Sequence, residues 1–472
     1  MQKIIKSSLI YRAIAAVAAF FGRQWQKSAL LGRFLGGAKS DGGGLFSAPW
    51  TGLWALIRRA FRALRLDTLL RGSLFTHPEL WCALTLAAAP LIPTMAAVAL
   101  VCVSFASLFL KLGTDAHLAP ARHPAIRYIL LFALLYAAAI FTSVTVRGSL
   151  KGGALQVLFT LFAVAVCSAL REKKQLVWAI RAFAVSGLLV SCYGLLQYVR
   201  GAVGSAAWFD SEMFSGIGMR VFSTLGNPNV LAEYLLLVIP FTAAAALSAK
   251  KALARLFFLG CLAAMLLTMA LTFARGGWLG LILAAAVFLV MLDRRFILLG
   301  LVGLVALYFL LPDVIITRLL SIGNLKDGST SYRLSIWFGT LAMLRDFWLV
   351  GIGPGVAAFN KVYPIYGYGA IAAPHSHNLY LQIICDAGVF PLVVFVIFLF
   401  SYLRSLASAV AKSKDRELNY YRIAAVSAAL GFLLQGATDY SFYNYRVALA
   451  FWGVTGLGMA LSRISEKTEE SK

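Results

Sequence analysis

Residues 254–273 read ARLFFLGCLAAMLLTMALTF, an apolar run of twenty residues with one charged side chain near its start. A run of this length suits an α-helix that crosses the roughly 30 Å hydrocarbon core of a bilayer. Similar runs recur along most of the chain, which is 61% hydrophobic and 13% charged. Because soluble domains carry about 25% charged residues, the sequence predicts an all-α polytopic membrane protein.

Twelve apolar segments are long enough to be interpreted as membrane-spanning helices. Their expected limits are 76–91, 92–110, 128–146, 153–170, 177–199, 230–248, 254–273, 277–292, 296–311, 379–403, 423–438 and 446–462. Pro90 and Pro93 fall within the first pair, so that pair is either a short hairpin or one kinked helix. We expect a large external loop, residues 312–378, between the ninth and tenth spans, and this loop should carry an amphipathic helix.

The distribution of basic residues sets the predicted orientation. With both termini in the cytoplasm, 32 of the 43 Lys and Arg residues lie on the inner side of the twelve spans. This agrees with the excess of basic residues in cytoplasmic loops. The net charge of +24 then faces mostly anionic lipid headgroups. Since no nucleic-acid-binding motif accompanies that charge, we expect membrane lipids as partners and no nucleic acid.

The N-terminal part of the chain has a different pattern, and we predict a cytoplasmic amphipathic arm over residues 1–75. Its apolar residues recur at helical spacing with arginines between them, which is typical of a helix in the headgroup layer. These residues are Trp50, Leu53, Trp54, Ile57, Phe61 and Leu64, with Arg58, Arg59, Arg62 and Arg65. A further helix is expected over 4–21, and DGGG at 41–44 forms a linker. The arm either anchors the chain or docks a partner enzyme. A transmembrane domain over 76–462 and a cytoplasmic tail over 463–472 should follow.

Polar residues suited to chemistry concentrate at the predicted external ends of the spans. Residues 272–280 read TFARGGWLG and place Arg275 between two apolar runs. The five donors of a guanidinium suit phosphate oxygens, and the two glycines would let a phosphate approach the backbone. The alternative is an interfacial arginine in a tight turn between helices. Arg275 is therefore a candidate for substrate binding and catalysis.

A second arginine, Arg333, opens a helical segment that runs to about residue 350. Apolar residues share one face of this segment at spacings of three and four: Trp337, Leu341, Leu344 and Trp348. We expect that face to rest on the membrane. Arg333 then either contacts the same anion as Arg275 or remains a solvated surface residue. The sequence GIGPG at 351–355 ends the helix.

The sequence PHSHNLYLQ at residues 374–382 lies where the external loop meets the tenth span. An unperturbed imidazole titrates near neutral pH, so His377 is either a general base or a histidine that only bonds locally. His375 and His377 offer two metal ligands, but no neighbouring carboxylate or cysteine completes a set, and we predict no metal. Asn378 should cap the tenth span or contact substrate. Asp386, about two turns into the span, is at most a buried orienting partner.

One further arginine reaches the same end of the bundle. Residues 220–232 read RVFSTLGNPNVLA, in which NPN forms an ordinary turn and helix entrance. Arg220 remains as an anion contact, and we include it in the predicted substrate-binding set.

Taken together, these motifs resemble the O-antigen ligase/polymerase superfamily. The resemblance is carried by Arg275-Gly276-Gly277-Trp278, by Arg333 followed by Trp337, by the GIGPG turn and by His377-Asn378-Leu379-Tyr380-Leu381-Gln382. It is specific over about 220–390 and looser, through topology, over 76–462. The N-terminal arm is left unexplained.

The resemblance implies a GT-C-type fold of twelve helices in a bacterial cytoplasmic membrane. It also implies transfer of a glycan from an undecaprenyl-diphosphate-linked donor to an acceptor hydroxyl, with inversion and without a metal, a cofactor or a nucleotide sugar. His377 matches the essential histidine of the family, and Arg275 and Arg333 match its paired arginines. The expected substrate-binding residues are Arg220, Arg275, Arg333, Trp337, His375 and Asn378.

The resemblance leaves the acceptor open. A lipid A core sugar would make the protein an O-antigen ligase, which we favour slightly. Another lipid-linked repeat unit would make it a polymerase, and a protein hydroxyl would make it a protein O-oligosaccharyltransferase. A lipid-linked oligosaccharide flippase is an alternative from another class, although the sequence shows neither repeats nor broken helices of the kind transporters use. A non-catalytic membrane scaffold is the third possibility.

Overall fold

A computed structural model describes residues 48–470, apart from 71, 116, 202–218, 322–326, 369–370 and twelve positions between 294 and 312. All the regular secondary structure in this described part is helical. The described residues divide into two compact units, one ending at Arg65 and the other beginning at Leu66.

The α-helices are numbered here in chain order. They are α1 (Ala48–Ala63), α2 (Leu66–Leu69), α3 (Pro78–Ala88), α4 (Thr94–Thr114), α5 (Ile126–Phe141), α6 (Val146–Ala169), α7 (Lys173–Val199), α8 (Pro228–Ser248), α9 (Ala252–Leu271), α10 (Arg275–Leu292), α11 (Asp313–Leu320), α12 (Gly328–Phe347), α13 (Val356–Tyr366), α14 (Leu379–Ala387), α15 (Val389–Lys412), α16 (Arg416–Gly436) and α17 (Tyr445–Glu470). Short 3₁₀ turns cover Leu74–Thr76 and Ser223–Leu225.

Helix α1 makes up most of the described part of the first unit. It coincides with the stretch whose spacing predicts an amphipathic helix, and Arg59 and Arg62 are exposed along it. The further helix expected over 4–21 and the DGGG linker lie outside the described residues.

Eight of the described helices are long and apolar enough to cross a membrane, so the protein is an integral membrane protein. They are α4, α6, α7, α8, α9, α10, α15 and α17. Helix α5 is apolar but has only 16 residues, and α3 has 11. The ninth predicted span, 296–311, lies mostly outside the described residues. The polytopic class is thus confirmed, whereas the count of twelve spans remains a prediction.

The first two predicted spans form a hairpin. Helices α3 and α4 are separated by a short turn that contains Pro90 and Pro93, and proline favours such a break because it lacks an N–H for the helical ladder. The Thr85 hydroxyl lies 3.0 Å from the Ser104 hydroxyl, so the two helices pack side by side. Of the two alternatives left by the sequence, the kinked single helix is wrong.

The tenth predicted span, 379–403, is not one helix. It is divided into α14 and α15 at Gly388, whose φ of 87° lies in the left-handed region. A Cβ at Gly388 would collide with the carbonyl oxygen of Leu349, just after the end of helix α12. The backbone N–H of Val389 donates to the Trp348 carbonyl at 2.9 Å. The break therefore exists because the chain after α12 packs against it. The prediction of one continuous helix over 379–403, made from local sequence, is wrong.

The long segment predicted to lie between the ninth and tenth spans contains three described helices, α11, α12 and α13. Helix α12 covers the segment for which the sequence predicts an amphipathic helix, but its apolar residues do not form one face, since Ile336 is buried whereas Phe338 is exposed. Leu344 is buried in a small core with Phe359 and Tyr363 of α13. Leu341 and Trp348 remain exposed. Packing against α13 thus removes one of the four residues from the surface that was expected to rest on the membrane.

Helices α8 and α17 form the centre of the bundle, since 83% and 94% of the residues in their apolar 18-residue stretches are buried. Helix α10 packs closely on α16 where Gly280 meets the backbone of Gly431, a contact that only small residues allow. At one end of the bundle, Lys173 forms ion pairs with Asp415 at 2.7 Å and Glu417 at 3.0 Å. The side chains predicted to act on substrate lie at the opposite end.

That opposite end is built by capped helix starts. The side chain of Asn227 accepts hydrogen bonds from the backbone N–H groups of Asn229 and Val230. Pro228 occupies the first position of α8, where its lack of an N–H costs nothing. The side chain of Asn378 caps α14 in the same way. Two polar loops thus enter buried helices at defined positions, and this fixes the residues beside them.

Candidate active site

A cavity of about 1080 Å³ opens at the end of the bundle where α8, α10 and α14 begin. Binding sites for small ligands occupy roughly 300–1,000 Å³, so this cavity has room for a large ligand. Its arginine, histidine and acidic lining residues are Arg220, Glu233, Arg275, Arg318, Arg333, His375, His377 and Asp439. Four arginines face two carboxylates in this lining. A concave surface with such an excess of positive charge attracts anions.

Arg275 lies at the first position of α10, directly after the turn at Phe273. Its guanidinium pairs with the fully buried carboxylate of Asp327. It also donates to Ser321 Oγ at 2.9 Å, while Arg318 Nη1 lies 4.0 Å from the same Asp327 carboxylate. Asp327 therefore compensates part of the charge of two arginines in the cavity.

The two glycines after Arg275 serve helix packing. A Cβ at Gly276 would collide with the side chains of Gln435 and Thr438 on and after α16. At Gly277 it would lie 2.6 Å from the Cβ of Ala232 on α8. The sequence suggests that these glycines leave room for a phosphate, but the space beside them is filled by neighbouring helices. Their role is to let α10 approach α8 and α16.

Arg333 lies in the second turn of α12 and faces the same cavity. Its Nη1 donates to Ser329 Oγ at 2.7 Å, and its Nη2 lies 3.9 Å from Asp439 Oδ2. Its Nε is buried and has no hydrogen-bond partner among the described residues. Since buried donors are nearly always paired, this N–H marks a position where a ligand oxygen can bind.

Arg220 fastens two helix ends at the cavity wall. Its Nε donates to the carbonyl of Thr272 at 2.8 Å, and its Nη2 donates to Asn229 Oδ1 at 2.8 Å. Burial and the nearby positive charges of Arg318 and Arg333 lower the pKa of Arg220 to about 9. The side chain still borders the cavity, so it adds positive charge there while holding α8 against the α9–α10 turn.

His377 is paired with a carboxylate that lies far from it in the sequence. The Nδ1 atom of His377 is 3.1 Å from Asp439 Oδ1. Asp439 also accepts hydrogen bonds from Asn229 Nδ2 at 3.1 Å and from the backbone N–H of Tyr440 at 2.9 Å. A carboxylate at Nδ1 selects the tautomer with its proton there, and this leaves Nε2 of His377 as a proton acceptor.

The electrostatic state of Asp439 follows from these contacts. Burial alone would raise the pKa of this carboxyl group, but the hydrogen bond with His377 and the positive charge of Arg333 hold it well below its usual range. Asp439 is therefore a carboxylate at neutral pH. It can orient His377 and stabilise an imidazolium there.

The backbone at His377 is held in an unusual conformation. Its φ of 48° lies in the left-handed region, which costs a residue other than glycine on the order of 1–3 kcal/mol. Among the described non-glycine residues, Ser223, Phe273 and Arg65 also have positive φ. Three of these four lie at the cavity end of the bundle, so the strain is concentrated beside the site.

The remaining predicted contacts have structural partners. The Nε1–H of Trp337 donates to the carbonyl of His377 at 3.3 Å and supports that loop. Asn378 was expected as a substrate contact, but its Oδ1 caps α14 and its Nδ2 donates to the Ala437 carbonyl at 2.8 Å. Trp337 borders the cavity, whereas Asn378 is fully engaged with backbone.

His375 is 5% exposed and packs its ring against those of His377 and Tyr443. Its Nδ1 accepts the backbone N–H of His377 at 3.1 Å. Burial, together with the charges of His377 and Arg333, lowers the pKa of His375 to about 3. His375 is therefore neutral in the physiological range, and its main contact shapes the loop that carries His377.

His375, His377 and Asp439 have ligand atoms within 4.8 Å of one another, so together they could hold a metal ion. The sequence alone offers no carboxylate for such a set, and Asp439 supplies one. However, both Nδ1 atoms already have hydrogen-bond partners. Arg333 also approaches Asp439 at 3.9 Å. A cation would compete with these groups, and the set is explained without one as an oriented acid–base pair.

Asp439 and Asp327 were not predicted from the sequence. Asp439 directly follows the eleventh predicted span, and a carboxylate at the membrane end of a span is a signal of function. Asp327 opens α12 as its N-cap, accepting from the Ser329 backbone N–H. That helix-start signal is visible in the sequence, whereas its pairing with Arg275 is not.

Residues 260–396 match the family model described as O-antigen ligase. The resemblance inferred from the motifs is confirmed over this range, which includes Arg275, Arg333 and His377. Arg220 and Asp439 lie outside it. Comparison with curated protein sequences gives no match. The family match supports a membrane glycosyltransferase of the O-antigen ligase/polymerase type.

The low pKa of Asp439 gives a prediction about stability. A carboxylate with a depressed pKa stabilises the folded state above its unfolded pKa of roughly 3.9, and this contribution is lost as the pH falls. Asp439→Asn should destabilise the protein by about 1.5–3 kcal/mol at pH 7, the usual contribution of hydrogen bonds to a charged group. Thermal unfolding in detergent at pH 7 and pH 3 measures this, and the difference from wild type should shrink at pH 3.

The matched control is Asp293→Asn, at an exposed carboxylate whose Oδ1 accepts only the nearby Arg295 backbone N–H among its described contacts. It should leave the unfolding temperature within error at both pH values. An equal effect of the two substitutions would contradict the assignment of Asp439 as an ionised, hydrogen-bonded group.

Proposed function

We propose that this protein transfers a glycan from an undecaprenyl-diphosphate-linked donor to an acceptor hydroxyl at the outer face of the bacterial cytoplasmic membrane. The observation that carries the proposal is the His377–Asp439 pair beside arginines in one cavity at the end of a membrane bundle. The match of residues 260–396 to the O-antigen ligase family supports the reaction type.

The arginines provide the donor site. The diphosphate would bind in the cavity, with the unpartnered Nε–H of Arg333 and the guanidinium of Arg275 as donors to its oxygens. Arg275 donates to Thr330, while Arg333 donates to the adjacent Ser329, so both arginines meet the first turn of α12. Fixed positive groups of this kind stabilise negative charge as it develops on a leaving group.

His377 provides the base. Its Nε2 accepts the proton of the acceptor hydroxyl, and Asp439 stabilises the imidazolium that forms. The hydroxyl oxygen attacks the anomeric carbon from the face opposite the diphosphate. The new glycosidic bond forms as the carbon–oxygen bond to the diphosphate breaks, and the bonding electrons leave with the diphosphate. The configuration at the anomeric carbon is therefore inverted, and no metal ion or cofactor takes part.

The acceptor we favour is a lipid A core sugar, which makes the protein an O-antigen ligase. A lipid-linked repeat unit or a protein hydroxyl would use the same residues. We further propose both termini in the cytoplasm and a GT-C-type arrangement of twelve spans. The positive-inside distribution of basic residues supports that orientation.

Removal of the base tests the reaction. His377→Ala should lower the transfer rate by about 10²–10⁴-fold, the usual contribution of a positioned general base. The measurement is formation of the glycosidic product in proteoliposomes that contain the lipid-linked donor and a lipid A core acceptor. His117→Ala, at an exposed loop histidine, is the control and should retain wild-type activity. A wild-type transfer rate in the His377 variant would contradict the proposed role of His377 as the general base. Movement of glycan between leaflets without a new glycosidic bond would favour a flippase.

Removal of a donor contact tests the anion site. Arg333→Ala should lower kcat/KM for the lipid-linked donor by about 10²-fold, because one fixed donor to the leaving group is lost. Arg333→Lys should recover only part of this, since an ammonium keeps the charge but loses the planar fork. Arg345→Ala changes an exposed arginine of the same helix and should have no effect. Equal kinetics in the Arg333 and Arg345 variants would exclude Arg333 from the donor site.

The identity of the acceptor can be read from the glycans that accumulate without the protein. Loss of a ligase should leave unattached, full-length chains on the lipid carrier. Loss of a polymerase should instead leave single repeat units, and loss of a protein glycosyltransferase should leave unmodified protein. Mass analysis of both the lipid-linked glycans and the proteins from a deletion strain distinguishes these outcomes, and single repeat units would replace our first choice by a polymerase.

A further inference from the structure

Asp386 is a buried carboxylate without a part in the reaction proposed above. It lies near the end of α14 and is 2% exposed. Burying a carboxyl group away from water is costly unless hydrogen bonds replace its hydration. The groups that supply these hydrogen bonds connect Asp386 to the two loops that carry His377 and Asp439.

One oxygen of Asp386 is connected to the loop of His377. Gln382 Nε2 donates to Asp386 Oδ1 at 2.8 Å. The other end of the same amide, Oε1, accepts the backbone N–H of Ser376 at 2.7 Å. Because that N–H can only donate, it fixes the orientation of the amide, and Nε2 must point to Asp386. Ser376 immediately precedes His377 in the chain.

The other oxygen of Asp386 is connected to the loop of Asp439. The Tyr440 hydroxyl lies 3.2 Å from Asp386 Oδ2. Tyr440 directly follows Asp439, and its backbone N–H donates to Asp439 Oδ1 at 2.9 Å. One buried carboxylate is thus joined to both members of the acid–base pair through Gln382 on one side and Tyr440 on the other.

The turn after α12 also packs against the backbone beside Asp386. The backbone N–H of Ile352, in the GIGPG sequence, donates to the Cys385 carbonyl at 2.7 Å. The three segments that meet at Asp386 begin at residues 351, 374 and 437, and each is followed by a helix. The partners are neutral donors, so they set the geometry of these segments without adding charge to the cavity.

We propose that Asp386 is a positioning residue that sets the separation of His377 and Asp439 by holding their two loops on its two oxygens. This inference rests on the proposed transferase function. It accounts for a buried carboxylate that contacts neither donor nor acceptor. It also accounts for the residue spacing in α14, where Gln382 and Asp386 lie one turn apart on the same face.

The test uses two variants that remove the connection to different extents. Tyr440→Phe removes a single hydroxyl, and Asp386→Leu removes both arms while keeping a side chain of similar volume. In the full-length protein in proteoliposomes, kcat should fall about tenfold in the first and up to about a hundredfold in the second, as expected for a misplaced base. KM for the lipid-linked donor should stay the same, since the arginines keep their partners.

A coupled measurement separates positioning from general destabilisation. In an Asp439→Ala background the hydrogen bond to His377 is absent, so Tyr440→Phe and Asp386→Leu should each lower kcat further by less than about twofold. Full additivity of the losses, an increase in donor KM, or an unchanged kcat would each overturn the proposal. If Asp386→Leu fails to fold, the Tyr440→Phe comparison still decides the question.

Tyr366→Phe is the matched control. The Tyr366 hydroxyl donates to Asp346 Oδ2 at 2.6 Å, so this substitution removes another tyrosine–aspartate hydrogen bond, away from the cavity. It should leave kcat unchanged. A loss equal to that of Tyr440→Phe would show that such bonds affect the rate only through stability.

A chemical readout makes the inference independent of transfer activity. Diethyl pyrocarbonate modifies accessible imidazoles, and mass spectrometry measures the rate at His377 with exposed His117 as the internal reference. Release of the loop in Asp386→Leu and in Tyr440→Phe should speed modification of His377 and leave His117 unchanged. Absence of transfer by the wild type would refute the proposed function, whereas unchanged modification of His377 in both variants would refute the positioning role.

Discussion

The carboxylate of Asp439 is the group on which the arrangement of the site depends. It contacts His377 from the loop before α14, Asn229 from the start of α8 and Arg333 from α12. These segments are far apart in the chain and have no local reason to meet. The negative charge of Asp439 attracts Arg333, and its oxygens accept the hydrogen bonds that join the other two segments. Because Asp439 lies between α16 and the deeply buried α17, the anchor point belongs to the core of the bundle.

Several features of the fold and the site follow from local sequence. Long apolar runs predict helices wherever composition decides the structure, and the eight spanning helices agree with such runs. Arg275, Arg333 and His377 could be selected because each lies in a short polar motif between apolar segments. The structure brings all three to one cavity. Local sequence is enough to select such residues because their chemistry depends on the side chain itself and not on a distant partner.

The features of the fold and the site that local sequence does not predict depend on contacts between distant parts of the chain. Asp439 is 62 residues from His377, and no periodicity or spacing connects the two. Gly388 breaks an apolar run that otherwise predicts one helix, because the end of α12 packs against its backbone. The glycines after Arg275 have a similar origin, since neighbouring helices occupy the space beside them. In each case the local sequence permits several structures, and a tertiary neighbour selects one.

The buried pair of Arg275 and Asp327 has a consequence for ligand selectivity. An entering anion that takes over Arg275 exchanges one negative partner for another, so a singly charged solute gains little electrostatic free energy there. A group with several charged oxygens can engage Arg275 and Arg333 together and gains more from the exchange. The internal carboxylate therefore acts as a competitor that abundant monovalent anions such as chloride cannot readily displace.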